Sequence, residues 1–483
     1  MHELPTAPTF GKFAENVSSR VPNAPQVITK NQEIVQGWGR AASVQSLVAR
    51  PSDVDELAAC LGECARNQLP VALRAGGNSY GDLITNRDGV IIDISRLDRI
   101  VSTDWQEGVI VAEPGVALGR IVNESLTRGW ILGVVPGSPS VTVGGAIGNN
   151  VHGKNSFRNG NFESCIRSMQ VMSADGTIHV VNRDTGTERF RAVIGGLGLC
   201  GIVLEATLVL ERVRSPLLEV EMIRFADAGG MMDLFDASTA DWDMVVAWVD
   251  AFDEEGRGVL ERGRWIDRPA GTVDELPSAL LAGVTFGVLR RFTAAVARPF
   301  MCRPITAMVN AAVYRLMSVL PARKVRHFVQ FNFIVTRYIP EPPLIYPGGM
   351  VEIQILVPAD DGWLSVKRII ALGKRHKMES WWCGIKKHRA DGYPLSFSGD
   401  GYSFSVNLPR RHIRAAAFGA FVDELVAMVA ALGGRIYVGK DLVLRPEHVA
   451  AIFPGLAAFK ETRQRLDPGG VFDNDLARRL FSR

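Results

Sequence analysis

The chain is predicted to fold as an α+β protein with two main parts, and three observations carry that prediction. Short runs of aliphatic and β-branched residues alternate with helical stretches along the 483 residues. An Asp175-Gly176 pair joins two such runs, which marks a β-hairpin and therefore antiparallel pairing. Three glycine clusters follow strand-like runs within about 130 residues, where the backbone must turn tightly or approach a ligand closely.

The elements follow in order. Ser52-Asp53-Val54-Asp55-Glu56 opens a helix with a hydroxyl N-cap and acids in its first turn. Val71-Ala72-Leu73 is a short buried strand that runs into the first glycine cluster. Val90-Ile91-Ile92-Asp93-Ile94 and Gly108-Val109-Ile110-Val111-Ala112 are further strands, and Glu113-Pro114-Gly115 is a turn. Residues 169–174 and 177–181 form the hairpin, and residues 202–210 another strand. Beyond residue 215, strand-like runs at 244–249, 350–357 and 402–408 alternate with long apolar helical stretches. From Gly433-Gly434-Arg435 a third stretch runs to the last residue. The expected division is 1–214, 215–432 and 433–483.

Composition narrows the function classes. With 47% hydrophobic residues, disorder, collagen and a small disulfide scaffold are excluded. A net charge of +3 makes no global case for nucleic acid as a partner. That small figure conceals an asymmetry: between Glu275 and Glu341 there is no acid, yet nine basic residues, so the rest of the chain is net −6 (45 basic against 51 acidic). The segment 276–340 is basic and apolar, and expects an anionic surface or ligand. Its longest uncharged run, 276–289, is too short to span a bilayer. The N-terminus has no basic and apolar signal pattern, so the expected location is cytoplasmic, with peripheral contact at the inner membrane face. Cys60 and Cys64 are expected to be reduced, half-buried thiols on a helix, and neither cysteine nor histidine spacing suggests a metal.

The glycine clusters carry the chemistry. The first is Arg74-Ala75-Gly76-Gly77-Asn78-Ser79-Tyr80-Gly81-Asp82. The second is Val135-Pro136-Gly137 with Thr142-Val143-Gly144-Gly145-Ala146-Ile147-Gly148-Asn149-Asn150-Val151-His152-Gly153. The third is Gly195-Gly196-Leu197-Gly198-Leu199-Cys200-Gly201. Glycine after a strand lets backbone N–H groups face a phosphate. No G-x-G-x-x-G opens a helix with an acid about 20 residues on, and no P-loop G-x-x-x-x-G-K-[ST] is present.

These blocks resemble the flavin-binding domain of the vanillyl-alcohol-oxidase-type FAD oxidoreductases. Within that family they resemble the oxidase subunits of decaprenylphosphoryl-β-D-ribose 2-epimerases. The likeness is carried by Thr142-Val143-Gly144-Gly145-Ala146, His152-Gly153-Lys154-Asn155, Pro394-Leu395-Ser396-Phe397 and the tail Ala477-Arg478-Arg479-Leu480. It covers roughly residues 35–483 and is patchy between about 210 and 433. It implies a two-domain, PCMH-type FAD-binding fold whose substrate domain is built on an antiparallel sheet.

The resemblance also implies site residues. Leu73, Arg74, Ala75, Gly76, Gly77, Asn78, Ser79, Tyr80, Gly81, Asp82 and Leu83 would wrap the pyrophosphate. Gly137, Thr142, Val143, Gly144, Gly145, Asn149, Asn150, Val151 and His152 would line the dinucleotide and flavin ring, completed by Ile202 and Tyr437. Lys440, His152 and Tyr80 are the candidate catalytic residues. Gln354, Lys386 (with Lys387 nearly equivalent), Ser405 and Lys440 are the candidate substrate contacts. Many relatives tether flavin through a histidine where this chain has Asn78, so FAD is expected to bind non-covalently. Ser405 replaces a family cysteine that is a site of inhibitor attachment, not of catalysis.

The implied reaction is FAD-dependent oxidation of the ribose 2-hydroxyl of a polyprenyl-phosphoryl-ribose. A separate NAD(P)H-dependent short-chain reductase would complete epimerisation to arabinose. Two other readings fit the same motifs: a soluble aldonolactone or alditol oxidase that reduces oxygen, and a non-catalytic flavin-bearing membrane-associated protein.

Overall fold

Strands gather into three sheets of four, six and eight members. The computed structural model describes residues 32–483, apart from 268–294, 297, 320–321, 334–344, 347, 361, 414 and 482–483.

The first sheet holds β1 (Gln32–Gln36), β2 (Ser43–Ala49), β3 (Val71–Arg74) and β4 (Val90–Asp93), in the order β1-β2-β4-β3. β4 is parallel to both its neighbours and buried along its whole length, which explains its unbroken apolar run. The helix Val54–Arg66 packs its apolar stripe here. Its cap is the Asp53 carboxylate, which accepts from the Glu56 N–H at 2.8 Å; the Ser52 hydroxyl, expected as the cap, instead donates to the Glu56 side chain. Cys60 and Cys64 are fully buried on this stripe, not half-buried as expected, and burial pushes their thiols up to about 11 and about 12.

The second sheet contains β5 (Ile100–Asp104), β6 (Val109–Ala112), β7 (Trp130–Leu132), β8 (Ile166–Met172), β9 (Ile178–Asn182) and β10 (Ile202–Arg212). Its order is β5-β6-β10-β8-β9, antiparallel throughout, with β7 paired to the end of β10. Gly176 supplies the left-handed residue (φ +86°) that the tight β8–β9 hairpin requires.

The third sheet is wholly antiparallel and forms the second part of the molecule. It contains β11 (Leu217–Phe225), β12 (Met244–Val249), β13 (Gly258–Trp265), β14 (Arg323–His327), β15 (Met350–Pro358), β16 (Cys383–His388), β17 (Gly401–Pro409) and β18 (Arg435–Ile436), in the order β14-β11-β13-β12-β16-β17-β15-β18. The helices Ala228–Thr239, Gly362–His376 and Ala415–Ala431 pack on it. The chain then returns to the first sheet: Val71 pairs in parallel with Phe472, and Arg479 binds both Asp82 and Asp441 at 2.8 Å.

Only part of the basic segment lies within the described residues. The apolar run 276–289, Arg290, Arg291 and Arg337 lie outside them. In the described part, acids from elsewhere answer three of the basic side chains. Arg303 pairs with Glu379, Arg323 with Glu221 (2.8 Å) and Arg326 with Glu261 (2.9 Å). The segment is acid-free in sequence, yet in space these three arginines are neutralised from β11, β13 and Glu379. The helix Arg303–Leu316 leaves Met308 (64%) and Leu316 (54%) largely exposed. Among the described residues no helix is long and apolar enough to cross a membrane.

Candidate active site

A cavity of about 320 Å³ opens between the glycine clusters and the third sheet. One end is built from main chain. The loop after β3 lays Ala75, Gly76, Gly77, Asn78, Ser79 and Tyr80 along the wall, with Gly77 at φ +66°. The backbone N–H groups of Gly77, Asn78, Ser79 and Tyr80 make no hydrogen bond to any described residue. Four successive unpaired amides beside a cavity form a concavity for an anion. Asn78 fixes that loop: its Nδ2 donates to the Gly76 and Ser140 carbonyls, at 3.0 and 2.9 Å, and its Oδ1 accepts from the Ser140 hydroxyl at 2.7 Å.

The second cluster faces the first across the cavity. Thr142 caps the short helix Val143–Gly148, and its hydroxyl accepts from the Gly76 N–H at 3.3 Å, tying the two clusters together. A Cβ on Gly76 would sit 2.7 Å from the Ser140 carbonyl oxygen and 2.9 Å from the Thr142 methyl. Gly137, by contrast, faces open space, with nothing within 4 Å of the position a Cβ would take. Asn149 donates to the Gly145 carbonyl at 3.0 Å, while its Oδ1 is buried and unpaired at the wall.

The other end is built from side chains. Lys440 stands on a single 3-10 turn just after β18, and its Nζ is 2.7 Å from Oε1 of Glu352. The same ammonium lies 5.0 Å from the centre of the Tyr80 ring. Burial and the Glu352 carboxylate push the Tyr80 hydroxyl well above its ordinary range, so it stays protonated. Lys386 on β16 lies 3.3 Å from Nδ1 of His152. Nε2 of His152 lies 3.0 Å from the amide nitrogen of Gln354 and 3.3 Å from its amide oxygen. Burial, Lys386, His388 and Lys440 hold His152 well below the usual imidazole value, so it stays neutral. Burial, then Lys440 and Lys154, lower Lys386 to about 7. Glu352 and Gln354 project from one face of β15 because they are two residues apart.

Most of the sequence-predicted residues meet at this cavity: Leu73, Leu83, Gly144, Gly145, Val151 and Tyr437 line it along with those already placed. Others stand behind its wall. Arg74 pairs with Asp93, Asp82 with Arg479, and Asn150 with Asp391. The Gly81 backbone packs against the Asp441 carbonyl, and the Val143 and Ile202 side chains are core. Gln354 is buried and bonds His152. Ser405 pairs with Gln354 across the sheet without lining the cavity, and Lys387 turns away to pair with Asp236.

Sequence reasoning missed several residues. Trp38 lines the cavity with its ring 4.6 Å from that of Tyr80. Leu197, Gly198 and Gly201 line it too, so the third glycine cluster belongs to the site, and its glycine pattern was the available signal. Glu352 was legible only as the residue two before Gln354 on the same strand face. Among the described residues no group of three or more metal-ligating side chains comes together.

An anion-binding row of amides, a glycine-lined channel and an unpaired buried acceptor fit an FAD, its diphosphate at the amide end. Comparison with known proteins agrees. Residues 45–182 match the FAD binding domain family, and residues 383–480 match the D-arabinono-1,4-lactone oxidase family. The chain is therefore an FAD-dependent oxidoreductase acting on CH–OH groups, with a PCMH-type α+β fold. It is 30% identical to decaprenylphosphoryl-beta-D-ribose oxidase of Mycolicibacterium smegmatis over 459 residues, 92% of this chain and 97% of that protein. The chain belongs to the family of that oxidase. An uncharacterized protein of Streptomyces coelicolor is 32% identical over 390 residues, 76% of this chain and all of that protein. L-gulonolactone oxidase of Bos taurus is 25% identical over 174 residues, 36% of this chain and 39% of the enzyme.

Proposed function

We propose that the protein oxidises the ribose 2-hydroxyl of a polyprenyl-phosphoryl-ribose to the 2-keto sugar. The observation that carries this reading is the pair of amines, Lys386 and Lys440, beside one carboxylate and one neutral imidazole at the end of the glycine-lined cavity. Bound FAD supplies the acceptor for the hydride that leaves the carbinol carbon. The residues of the chain handle the charge. Lys440, held by Glu352, polarises the hydroxyl oxygen. Lys386, its amine held near neutrality at about 7, takes the hydroxyl proton. His152 stays uncharged and orients Lys386 and Gln354. Tyr80 stays protonated and closes the wall beneath Lys440. In this reading residues 1–214 and 433–483 hold FAD and residues 215–432 hold the sugar.

The partners follow from the chemistry: the product is a ketone at C2, and an NAD(P)H-dependent short-chain reductase would return it as the arabinose epimer. Anaerobic mixing with a prenyl-phosphoryl-ribose is expected to bleach the flavin, while free sugars leave it oxidised. The match of residues 383–480 to a lactone oxidase family favours one other reading, an aldonolactone or alditol oxidase. Bleaching by free sugars or lactones, with peroxide formed in air, would establish that one instead. FAD is held without a covalent bond, because position 78 carries a carboxamide, which cannot make the tether that an imidazole makes; acid precipitation is expected to leave the yellow colour in the supernatant. We place the enzyme at the inner face of the membrane through segment 276–340. Salt-sensitive sedimentation with anionic but not neutral vesicles is the expected result.

A further inference from the structure

The loop 149–152 carries the unpaired Asn149 acceptor and His152, and so sets both flavin-facing and amine-facing groups. Within it, Asn150 adopts a left-handed conformation, φ +42°, which asparagine enters more readily than most non-glycine residues. The loop is a narrow bridge: His152 pairs with Asn161, and the Phe162 N–H donates to the Val151 carbonyl at 2.9 Å.

A carboxylate from the other part of the molecule fastens that bridge. Asp391 lies just beyond β16, in the stretch that leads to Phe397. Its Oδ2 accepts from Nδ2 of Asn150 at 3.2 Å and Nδ2 of Asn161 at 3.3 Å, one from each side of the bridge. The same oxygen accepts from the Ser396 hydroxyl at 2.6 Å, and Oδ1 accepts from the Tyr393 N–H at 3.1 Å. Asn150 is held from its other end too, since its Oδ1 accepts from the Glu163 N–H at 3.0 Å. A few residues on, the Phe397 ring lies 5.8 Å from the His152 ring and 5.1 Å from that of Tyr437. Asp391 itself does not line the cavity.

We infer that Asp391 is a positioning residue: it clamps the loop 149–152 across the junction of the two parts, and thereby fixes Asn149 and His152 at the cavity. The inference rests on the reading of that cavity as the FAD site. Both carboxylate oxygens are needed. A carboxamide offers one acceptor, so it can serve either the Tyr393 N–H or the three donors on Oδ2, and it turns an N–H toward whichever is left.

The test is Asp391→Asn in the full chain, followed by amide hydrogen exchange with and without FAD, FAD titration and the flavin absorption spectrum. Faster exchange confined to residues 149–163, a shifted flavin spectrum and about tenfold weaker FAD binding are expected. A lowered Tm with unchanged exchange at 149–163 and an unchanged spectrum would reduce Asp391 to a structural residue and overturn the clamp. If Asp391→Asn does not fold, Asn150→Asp carries the same expectations, since it tolerates the left-handed conformation, keeps an acceptor for the Glu163 N–H and replaces the donor to Asp391 with a second carboxylate. A parent protein that takes up no FAD would overturn the site reading alone, because exchange in the FAD-free protein still reports on the clamp.

Discussion

At one end of the cavity Gly77, Asn78, Ser79 and Tyr80 present main-chain amides; at the other, Lys386, Lys440 and His152 present side chains, with Glu352 and Gln354 behind them bonding Lys440 and His152. The first end comes from one loop after one strand, pinned by Thr142 and Ser140. The second comes from four separate stretches: the loop 149–152, β15, β16 and the turn after β18. Amides in a fixed loop bind charge without titrating. Buried amines bind or release a proton according to their neighbours. The amide end is thus suited to hold a cofactor, and the amine end to move a proton.

The sharpest way to break this comparison is at Lys440. Lys440→Met removes the ammonium that Glu352 holds and leaves the amide end untouched. FAD content and spectrum are expected to change little, while flavin reduction by substrate slows on the order of 10²–10³-fold, the cost of losing one preorganised donor. Rapid mixing under anaerobic conditions measures it. An equal loss of FAD would show that the two ends do not divide binding from chemistry.

The complementary change is Gly76→Val. Even the first carbon would press on the Ser140 carbonyl at 2.7 Å and on the Thr142 methyl at 2.9 Å, and the branched side chain would fill the channel beyond. The variant is expected to fold yet retain little FAD, with an affinity at least about tenfold lower by equilibrium dialysis. The two lysines keep their surroundings. Full retention of FAD would move the diphosphate away from this loop.

The same contrast explains what the sequence made legible. The amide end is encoded locally: glycines next to a strand mark a close backbone approach, so Gly76, Gly77, Gly144 and Gly145 are legible in the sequence. The strands 244–249, 350–357 and 402–408 were equally plain, because alternation and apolar content are local too. The amine end depends on which strands neighbour one another. No local pattern states that β16 lies beside β17 and β17 beside β15, and this order is what brings Lys386 toward Gln354. Residue type, moreover, does not reveal pairing. The acid-free stretch looked uncompensated until Glu221, Glu261 and Glu379 were found on its arginines. Glu352 escaped notice for the same reason, since its importance lies in Lys440, 88 residues away in the chain.

The smallest expected effect sharpens the comparison best, because it reads titration directly. In the unfolded chain Lys386 keeps its proton up to about pH 10.4. In the fold, burial and the neighbouring Lys440 and Lys154 lower it to about 7. Between those two values the unfolded chain binds more protons than the folded one, so this group makes stability rise with pH. Below about pH 7 both states hold the proton and the penalty of enclosing an ammonium is complete. Lys386→Met removes that penalty while keeping most of the side-chain volume. The FAD-free variant is expected to be more stable than its parent at pH 6, by about 1 kcal/mol. The advantage should fade as the pH approaches 10. Thermal melts of both proteins from pH 6 to 10 measure it. A gain that did not vary with pH would mean that Lys386 is protonated in the fold throughout, and the proton acceptor would then have to be sought at Glu352.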